Sequence, residues 1–419
     1  MRVEMRCILG ILFTLLSLLT VEAQSRVFEF SDKTLSEKDS SGDKTSLDYT
    51  YYSLTEEMTS GVSANRFSIA LPDGNYRVTV TFDSKRLSGD ATIFAESSRL
   101  LLMNQPIERG EESQHTFVVN KRSPRISDSE SARLKEKIAV KRNWDDSLSL
   151  DIYCAVPLKS IVVEPVNVRT IFLCGDSTVC DYDDEPYASW GQILPLFLGD
   201  NIAVANYAES GETASSCMSS KRFAKALSQL KSGDYLFIEL GHNDQKQQGA
   251  GKGAYYSFTH ELKTMIDNVR MRGGKPVLLT PLQRRRWSGG QLQDSHNDYP
   301  EAVRVLAERE GVPLIDLTQL TTTLLTAFGE QQSKQLYVHL PANTLPNQTK
   351  ELRDNSHFSP FGAYQVAKIV VESLHMVMPE LNEYFRAGWS GFSPAQPDDP
   401  NDFEWDIRVG SVYSKPAGN

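Results

Sequence analysis

Five residues between positions 177 and 357 have the types that acyl transfer needs: Ser177, Gly211, Asn243, Asp354 and His357. Serine-based ester hydrolysis requires a hydroxyl, a base to take its proton, a carboxylate to orient that base, and donors for the oxyanion. Ser177 lies in Gly175-Asp176-Ser177-Thr178, directly after the apolar run Thr170–Leu173, with Gly175 allowing a tight turn. Asp354 and His357 are three residues apart, close enough for the carboxylate to hold one ring nitrogen while the other faces Ser177. The backbone N–H groups of Ser177 and Gly211 and the side-chain amide of Asn243 would form the oxyanion site. His242, beside Asn243, is a rival base with only Asp244 near it to orient it, so a structural or substrate-contacting role is expected. Singly, each motif is weak: a Gly-Asp-Ser run is often only a turn, and an Asp-x-x-His pair is commonly a helix cap.

These residues need elements to position them. After Asn167 apolar strands alternate with helical stretches: strands at Thr170–Leu173, Ile202–Asn206, Tyr235–Leu240, Val277–Thr280 and Pro313–Leu317. The clearest helix is Phe258–Arg272, where Leu262, Met265, Ile266 and Val269 form one apolar stripe and Gly273-Gly274 stops it. A last helix, Ala363–Val377, carries Val366, Ile369, Val370 and Leu374 at the same spacing. Five such units imply an α/β fold with a doubly wound parallel five-stranded sheet, whose ligands bind at the C-terminal strand ends. Each chemical block follows a strand or precedes the last helix, so all fall on one edge of that sheet.

From Val27 to about Pro165 the pattern is of short strands with turn-rich connections, as in an antiparallel β-sandwich. The strands expected are Asn75–Phe82, His115–Asn120, Leu148–Tyr153 and Ser160–Val163; Ser36–Ser46 reads as a polar loop and Ser131–Lys137 as a short charged helix. There is no internal repeat. Residues 1–23 have Arg2 and Arg6, an apolar run from Ile8 to Val21, and small residues Val21 and Ala23 ahead of Gln24, the pattern of a cleaved signal peptide. The expected division is a leader (1–23), a sandwich domain (24–167), a catalytic domain (168–386) and an irregular extension (387–419) carrying Trp389, Phe392, Phe403 and Trp405, aromatics that could contact a sugar if exposed.

The chain has 419 residues, 44 Lys+Arg against 54 Asp+Glu, a formal net charge of −10 that leader removal leaves unchanged, and 40% apolar residues. It is too apolar for a disordered protein and too acidic for nucleic acid to be the default partner. Of five cysteines, Cys154, Cys174, Cys180 and Cys217 remain after export. Their spacing is not that of a zinc finger; a Cys174–Cys180 bridge is possible, with a small buried residue the preferred role for Cys174. No segment beyond the leader is apolar enough to span a membrane, so an exported, periplasmic or extracellular monomer without membrane attachment is expected.

The four blocks resemble the SGNH (GDSL-type) hydrolase superfamily over about Thr170 to Glu383, and the absence of a G-x-S-x-G elbow around Ser177 fits it. Within it, Ile171–Thr178, Asn206–Gly211, Gly241–Asp244, Thr280–Trp287 and Asp354–Ser359 look like the rhamnogalacturonan acetylesterases. The segments Leu71–Tyr76 and Phe117–Arg122 resemble the galactose-binding-like sandwich fused to some bacterial members. The resemblance implies a flavodoxin-like sheet, Ser177, His357 and Asp354 as the triad, Ser177, Gly211 and Asn243 as the oxyanion hole, and no metal or organic cofactor. The implied substrate is an acetylated pectic polysaccharide or oligosaccharide. Its galacturonate would be repelled by a net charge of −10, but Arg284, Arg285 and Arg286 at the fourth strand end could bind carboxylates and Trp287 could stack on a sugar. The long loop Gln245–Ser257 is expected to form one wall of the groove. An esterase for other acetylated glycans or lipids, and an inactive sugar-binding protein, are the alternatives; the polar, arginine-rich loops disfavour lipid and the complete residue set disfavours inactivity.

Overall fold

The computed structural model describes residues 25–31, 34–38, 49–53, 64–110, 112–136, 142–183 and 185–405, with 413 and 416. The leader and most of Ser36–Ser46 lie outside the described residues. Ten strands of the first half are β1 (Arg26–Ser31), β2 (Thr34–Lys38), β3 (Tyr49–Ser53), β4 (Ala64–Ala70), β5 (Gly74–Phe82), β6 (Gly89–Ala95), β7 (Arg99–Ile107), β8 (Ser113–Lys121), β9 (Ser147–Cys154) and β10 (Leu158–Pro165). They form two five-stranded antiparallel sheets, ordered β2-β1-β10-β5-β8 and β3-β4-β9-β6-β7. Period-two alternation explains the packing: Tyr76, Val78, Val80 and Phe82 of β5 face inward and meet Phe67, Ile93 and Leu150 of the other sheet in one core. The beginning of the expected Ser36–Ser46 loop belongs to β2, which pairs with β1. Of the expected helix near Ser131–Lys137, Ser131 closes a two-residue strand and residues 132–135 are not helical.

The second half contains β11 (Arg169–Gly175), β12 (Ile202–Asn206), β13 (Tyr235–Glu239), β14 (Lys275–Leu279) and β15 (Leu314–Ile315), all parallel in the order β12-β11-β13-β14-β15. That is the 2-1-3-4-5 order of a flavodoxin-like sheet. Both faces of β11 are covered, which is why its sequence is a continuous apolar run. Ile171 and Leu173 join one core with Val366, Ile369, Val370 and Leu374 of the last helix (Pro360–Val377). Phe172 and Cys174 join the other with Leu262, Met265, Ile266 and Val269 of the helix Thr259–Met271. All four described cysteines are buried free thiols, so Cys174 and Cys180 are not bridged.

The tail aromatics pack inward instead of forming an exposed sugar platform. The Trp389 and Trp405 indoles donate to Glu372 (3.0 Å) and Glu185 (3.4 Å), and Phe403 stacks on Trp405. Polar contacts join the sandwich to the parallel sheet. Asp181, four residues beyond Ser177, accepts from the guanidinium groups of Arg99 (3.0 Å) and Arg122 (3.3 Å) and from the Asn206 amide (2.8 Å). Arg99 starts β7 and Arg122 follows β8, so two sandwich strands hold the loop that follows Ser177. All three ionic side chains are buried. Asp181→Ala leaves two buried guanidinium groups without their carboxylate. It should destabilise the protein by about 3–5 kcal/mol, read as a lower denaturant midpoint. A midpoint equal to wild type would show that the clamp carries no stability.

Candidate active site

Ser177 sits in the turn that leaves β11. Gly175 is required there for space and not for unusual backbone angles: a Cβ would lie 2.5 Å from Val179 and 2.9 Å from the Glu239 carbonyl oxygen. The Ser177 carbonyl accepts from the Tyr182 hydroxyl at 2.8 Å, which fixes the turn from the other side. Asp354 and His357 lie on a strand, Leu352–Phe358, that pairs with Tyr337–Leu340. Ser359 then caps the last helix by accepting from the Gly362 N–H, with Pro360 in its first turn.

His357 Nε2 is 3.1 Å from Ser177 Oγ, and His357 Nδ1 is 2.8 Å from Asp354 Oδ2. The other carboxylate oxygen accepts the backbone N–H groups of Ser356 (2.8 Å) and His357 (2.9 Å). Burial alone would push the Asp354 carboxyl up, but the hydrogen bond and charge of His357 with those N–H groups hold it below the ordinary carboxylate range. Tyr187 stands edge-on to the imidazole with centroids 5.8 Å apart. A hydroxyl, an imidazole and an ionised carboxylate in this line can form an acyl-serine.

Hydrogen bonds bring together the loops that carry the oxyanion candidates. Tyr207 and Glu209 donate to the carbonyls of Leu173 and Gly175 at 2.8 and 3.1 Å, laying the loop after β12 beside the serine turn. Gly211 in that loop has φ of +78°, a conformation that favours glycine. The Asn243 amide donates to the carbonyl of Glu212 at 3.1 Å, tying the loop after β13 to the residue following Gly211.

Residues 173–360 match the model of the GDSL-like lipase/acylhydrolase family. The chain is 38% identical to the rhamnogalacturonan acetylesterase RhgT of Bacillus subtilis over 207 residues, 49% of this chain and 88% of that protein. The probable rhamnogalacturonan acetylesterase YesY of the same organism is 30% identical, over 49% of this chain and 91% of its own. The uncharacterized esterase YxiM, also from Bacillus subtilis, is 28% identical across 74% of each chain. The chain belongs to the GDSL-like lipase/acylhydrolase family. It is an ester hydrolase, and the remaining candidate residues are placed relative to that chemistry.

In this hydrolase the three arginines separate. Arg285 is turned inward: Nε donates to Ser333 Oγ (3.2 Å), one terminal nitrogen to Asn355 Oδ1 (3.1 Å) and the other to the Glu330 carbonyl. It braces the strand that carries Asp354 and His357 and is not available to substrate. Arg284 is half-buried and donates to the carbonyls of His242 (2.9 Å) and Ser295 (3.4 Å). Arg286 is exposed. The Trp287 ring is partly exposed, with its indole nitrogen buried and no hydrogen-bond partner among the described residues. His242 is buried, 3.2 Å from the His296 ring, and burial lowers its basicity well below that of an ordinary histidine. It packs against His296, its Nε2 lies 4.0 Å from Glu239, and His357, not His242, is the imidazole in contact with Ser177.

Sequence reasoning alone passes over Asp176, Thr178, Trp190 and Glu239, which lie buried behind the serine. Asp176, Glu239 and His242 bring one ligand-type atom each within 4.8 Å of one another, a spacing that can hold a metal ion. Both Glu239 oxygens already have polar partners, however: Thr178 Oγ1 at 2.7 Å and the Trp190 indole nitrogen at 2.6 Å. Asp176 Oδ1 is engaged by the Thr178 N–H and hydroxyl, both at 3.1 Å, which leaves only Asp176 Oδ2 and His242 Nε2 of this trio unpartnered among the described residues; two open donors with Glu239 fully engaged fit a hydrogen-bonded cluster better than a cation. The one signal for Glu239 in the sequence is a lone acid ending the otherwise apolar strand Tyr235–Ile238.

Asp354→Asn should lower kcat on a neutral aryl acetate by roughly 10⁴, because the amide favours the wrong imidazole tautomer. A loss smaller than about a hundredfold would mean that something else orients His357. Because the folded-state carboxyl is held below its ordinary value, its contribution to stability is complete above the ordinary range and is lost as pH falls through the lowered value. Acid titration of stability should therefore be shallower in Asp354→Asn than in wild type.

Proposed function

We propose that this hydrolase is an exported carbohydrate esterase that removes acetyl groups from a pectic polysaccharide of the rhamnogalacturonan type. The observation that carries the chemistry is the continuous line Ser177–His357–Asp354, with contacts of 3.1 and 2.8 Å. Ser177 Oγ attacks the acetyl carbonyl as His357 Nε2 takes its proton, and Asp354 stabilises the imidazolium that results. The oxyanion is received by the N–H groups of Ser177 and Gly211 and the Asn243 amide. Collapse expels the sugar hydroxyl, protonated by His357. Water, activated by the same imidazole, then releases acetate and restores the serine.

Two relatives named rhamnogalacturonan acetylesterase, each aligned along about nine-tenths of its own length, support the substrate class. The exposed Arg286 beside Trp287 supports it from this chain's own residues, since a guanidinium pairs bidentately with a uronate carboxylate and an indole stacks on a pyranose. The leader-like residues 1–23 support export.

Acetate release measured side by side on acetylated rhamnogalacturonan, homogalacturonan and xylan tests the substrate class. Rhamnogalacturonan should be preferred, and equal or faster release from xylan would refute the assignment. Arg286→Ala should raise KM on the acidic polymer several-fold, about 1 kcal/mol for one partly solvated ion pair, and leave a neutral aryl acetate untouched. Equal losses on both would remove Arg286 from substrate binding.

A further inference from the structure

The hydroxyl of Thr178 lies 2.7 Å from Glu239 Oε1 and 3.1 Å from Asp176 Oδ1. A threonine hydroxyl has one proton and can donate it once. Two ionised carboxylates cannot both be satisfied by that proton, so one of the two acids must donate back to the threonine oxygen. Their surroundings decide which. Burial pushes the Asp176 carboxyl up to about 6, opposed by the Thr178 N–H it accepts and by the positive charge of Arg284. Glu239 meets neutral donors: the Trp190 indole at 2.6 Å and the Leu282 backbone N–H. The titratable groups that face Glu239 are Asp176 from the serine turn and His242 at 4.0 Å, with Arg284 and His357 behind Asp176 and His296 behind His242. Neither His242 nor His296 is basic enough to be charged, because both are buried beside Arg284.

We infer that Glu239 is a positioning residue of the acyl transfer: held as the neutral acid, it donates to Thr178, whose hydroxyl donates on to Asp176 and so fixes the turn that presents Ser177. The order of proton donation is Glu239 to Thr178 to Asp176, and no proton is transferred along it during turnover. Burial, followed by the charge of Asp176, pushes the Glu239 carboxyl up to about 8, in keeping with this arrangement. Asp176 Oδ2 beside it has no hydrogen-bond donor among the described residues, so the negative charge of Asp176 is incompletely satisfied and a second one on Glu239 would add to it.

The inference rests on the acyl-transfer reading above, which wild-type turnover of a neutral aryl acetate and its loss in Ser177→Ala test separately. Glutamine can reproduce both contacts of the neutral acid, its NH₂ donating to Thr178 and its oxygen accepting from Trp190. Glu239→Gln should therefore keep kcat at neutral pH within about threefold of wild type, the worth of exchanging one neutral hydrogen bond for another. Glu239→Ala strands the indole N–H and should lower kcat by about tenfold or more with KM little changed. Wild-type activity should fall as pH rises through about 8, where Glu239 ionises, and that fall should be absent in Glu239→Gln.

Stability gives an independent readout. A carboxyl raised from 4.5 to about 8 contributes stability in full below 4.5 and loses it as pH climbs towards 8. The Tm of Glu239→Gln relative to wild type should accordingly rise across that interval. A carboxylic-acid C=O infrared band present in wild type at neutral pH should be missing from the variant. If Glu239→Gln is as impaired as Glu239→Ala, or retains the wild-type alkaline fall, Glu239 acts as an anion and the inference fails. Stoichiometric metal in the purified wild type that is absent from Glu239→Gln would overturn it equally.

Discussion

The contact on which the arrangement most depends is the buried carboxylate of Asp181, held by Arg99 and Arg122 from the sandwich and by Asn206 from β12. An ion of this kind is tolerable in an interior only when its partners are in place, because the desolvation of an unpaired charge is severe. The loop after Ser177 therefore has one position in which Asp181 is satisfied, and that position requires the antiparallel sheets to be docked. Further buried ion pairs extend the interface. Lys121 and Lys225 share Asp73, and Arg222 pairs with Glu209 while lying over Trp144. Arg122 also lies over that indole and over the ring of Tyr207, two residues before Glu209. The first half of the chain is thus part of the scaffold that sets the serine turn and the loop carrying Gly211, whatever else it does.

This construction explains which parts of the site could be read from sequence. Ser177, Gly211, Asn243, Asp354 and His357 each sit beside a local signal, a strand end or the start of a helix, so the fold order alone places them on one edge. Asp181, Glu239 and Arg285 have no such signal, since their partners lie 82, 61 and 70 residues away. The triple arginine shows the limit most clearly. As a run it reads as a basic rim, yet the chain alternates direction there, sending Arg285 into the interior and leaving Arg286 outside. The strands of the sandwich divide on the same principle. Strand β5 alternates cleanly and is legible, whereas β6 and β7 mix buried residues on both sides and carry register shifts between them. Those irregularities destroy the period on which a strand reading depends.

The formal charge of −10 also means something different once the interior is known. That figure counts every acid as ionised. Burial pushes Glu96 to about 7, Asp244 to about 7 and Glu239 to about 8, so near neutrality part of the formal negative charge is replaced by bound protons. The acids around the serine differ in what opposes burial: Asp354, with the imidazole and two backbone N–H groups, is held below the ordinary range, whereas Asp176, with a backbone N–H and the field of Arg284, is still pushed up to about 6, lower than Glu239.

That division bears directly on the proposal that an acidic chain accepts an acidic polymer. Beyond about 8–10 Å in salt the net charge is screened, so the potential beside Ser177 is set by the few charged groups around it. Arg284 is half-buried, its charge offsets Asp176 and its donors are committed to the carbonyls of His242 and Ser295. Its remaining effect is to keep the pocket behind Ser177 from becoming strongly negative. Arg286 lies two residues further out, beyond that compensation, where a guanidinium can meet a uronate without first giving up an internal ion pair. The two arginines thus differ by burial: the inner one balances the charge beside Ser177, and the outer one is exposed, as the proposed uronate contact requires.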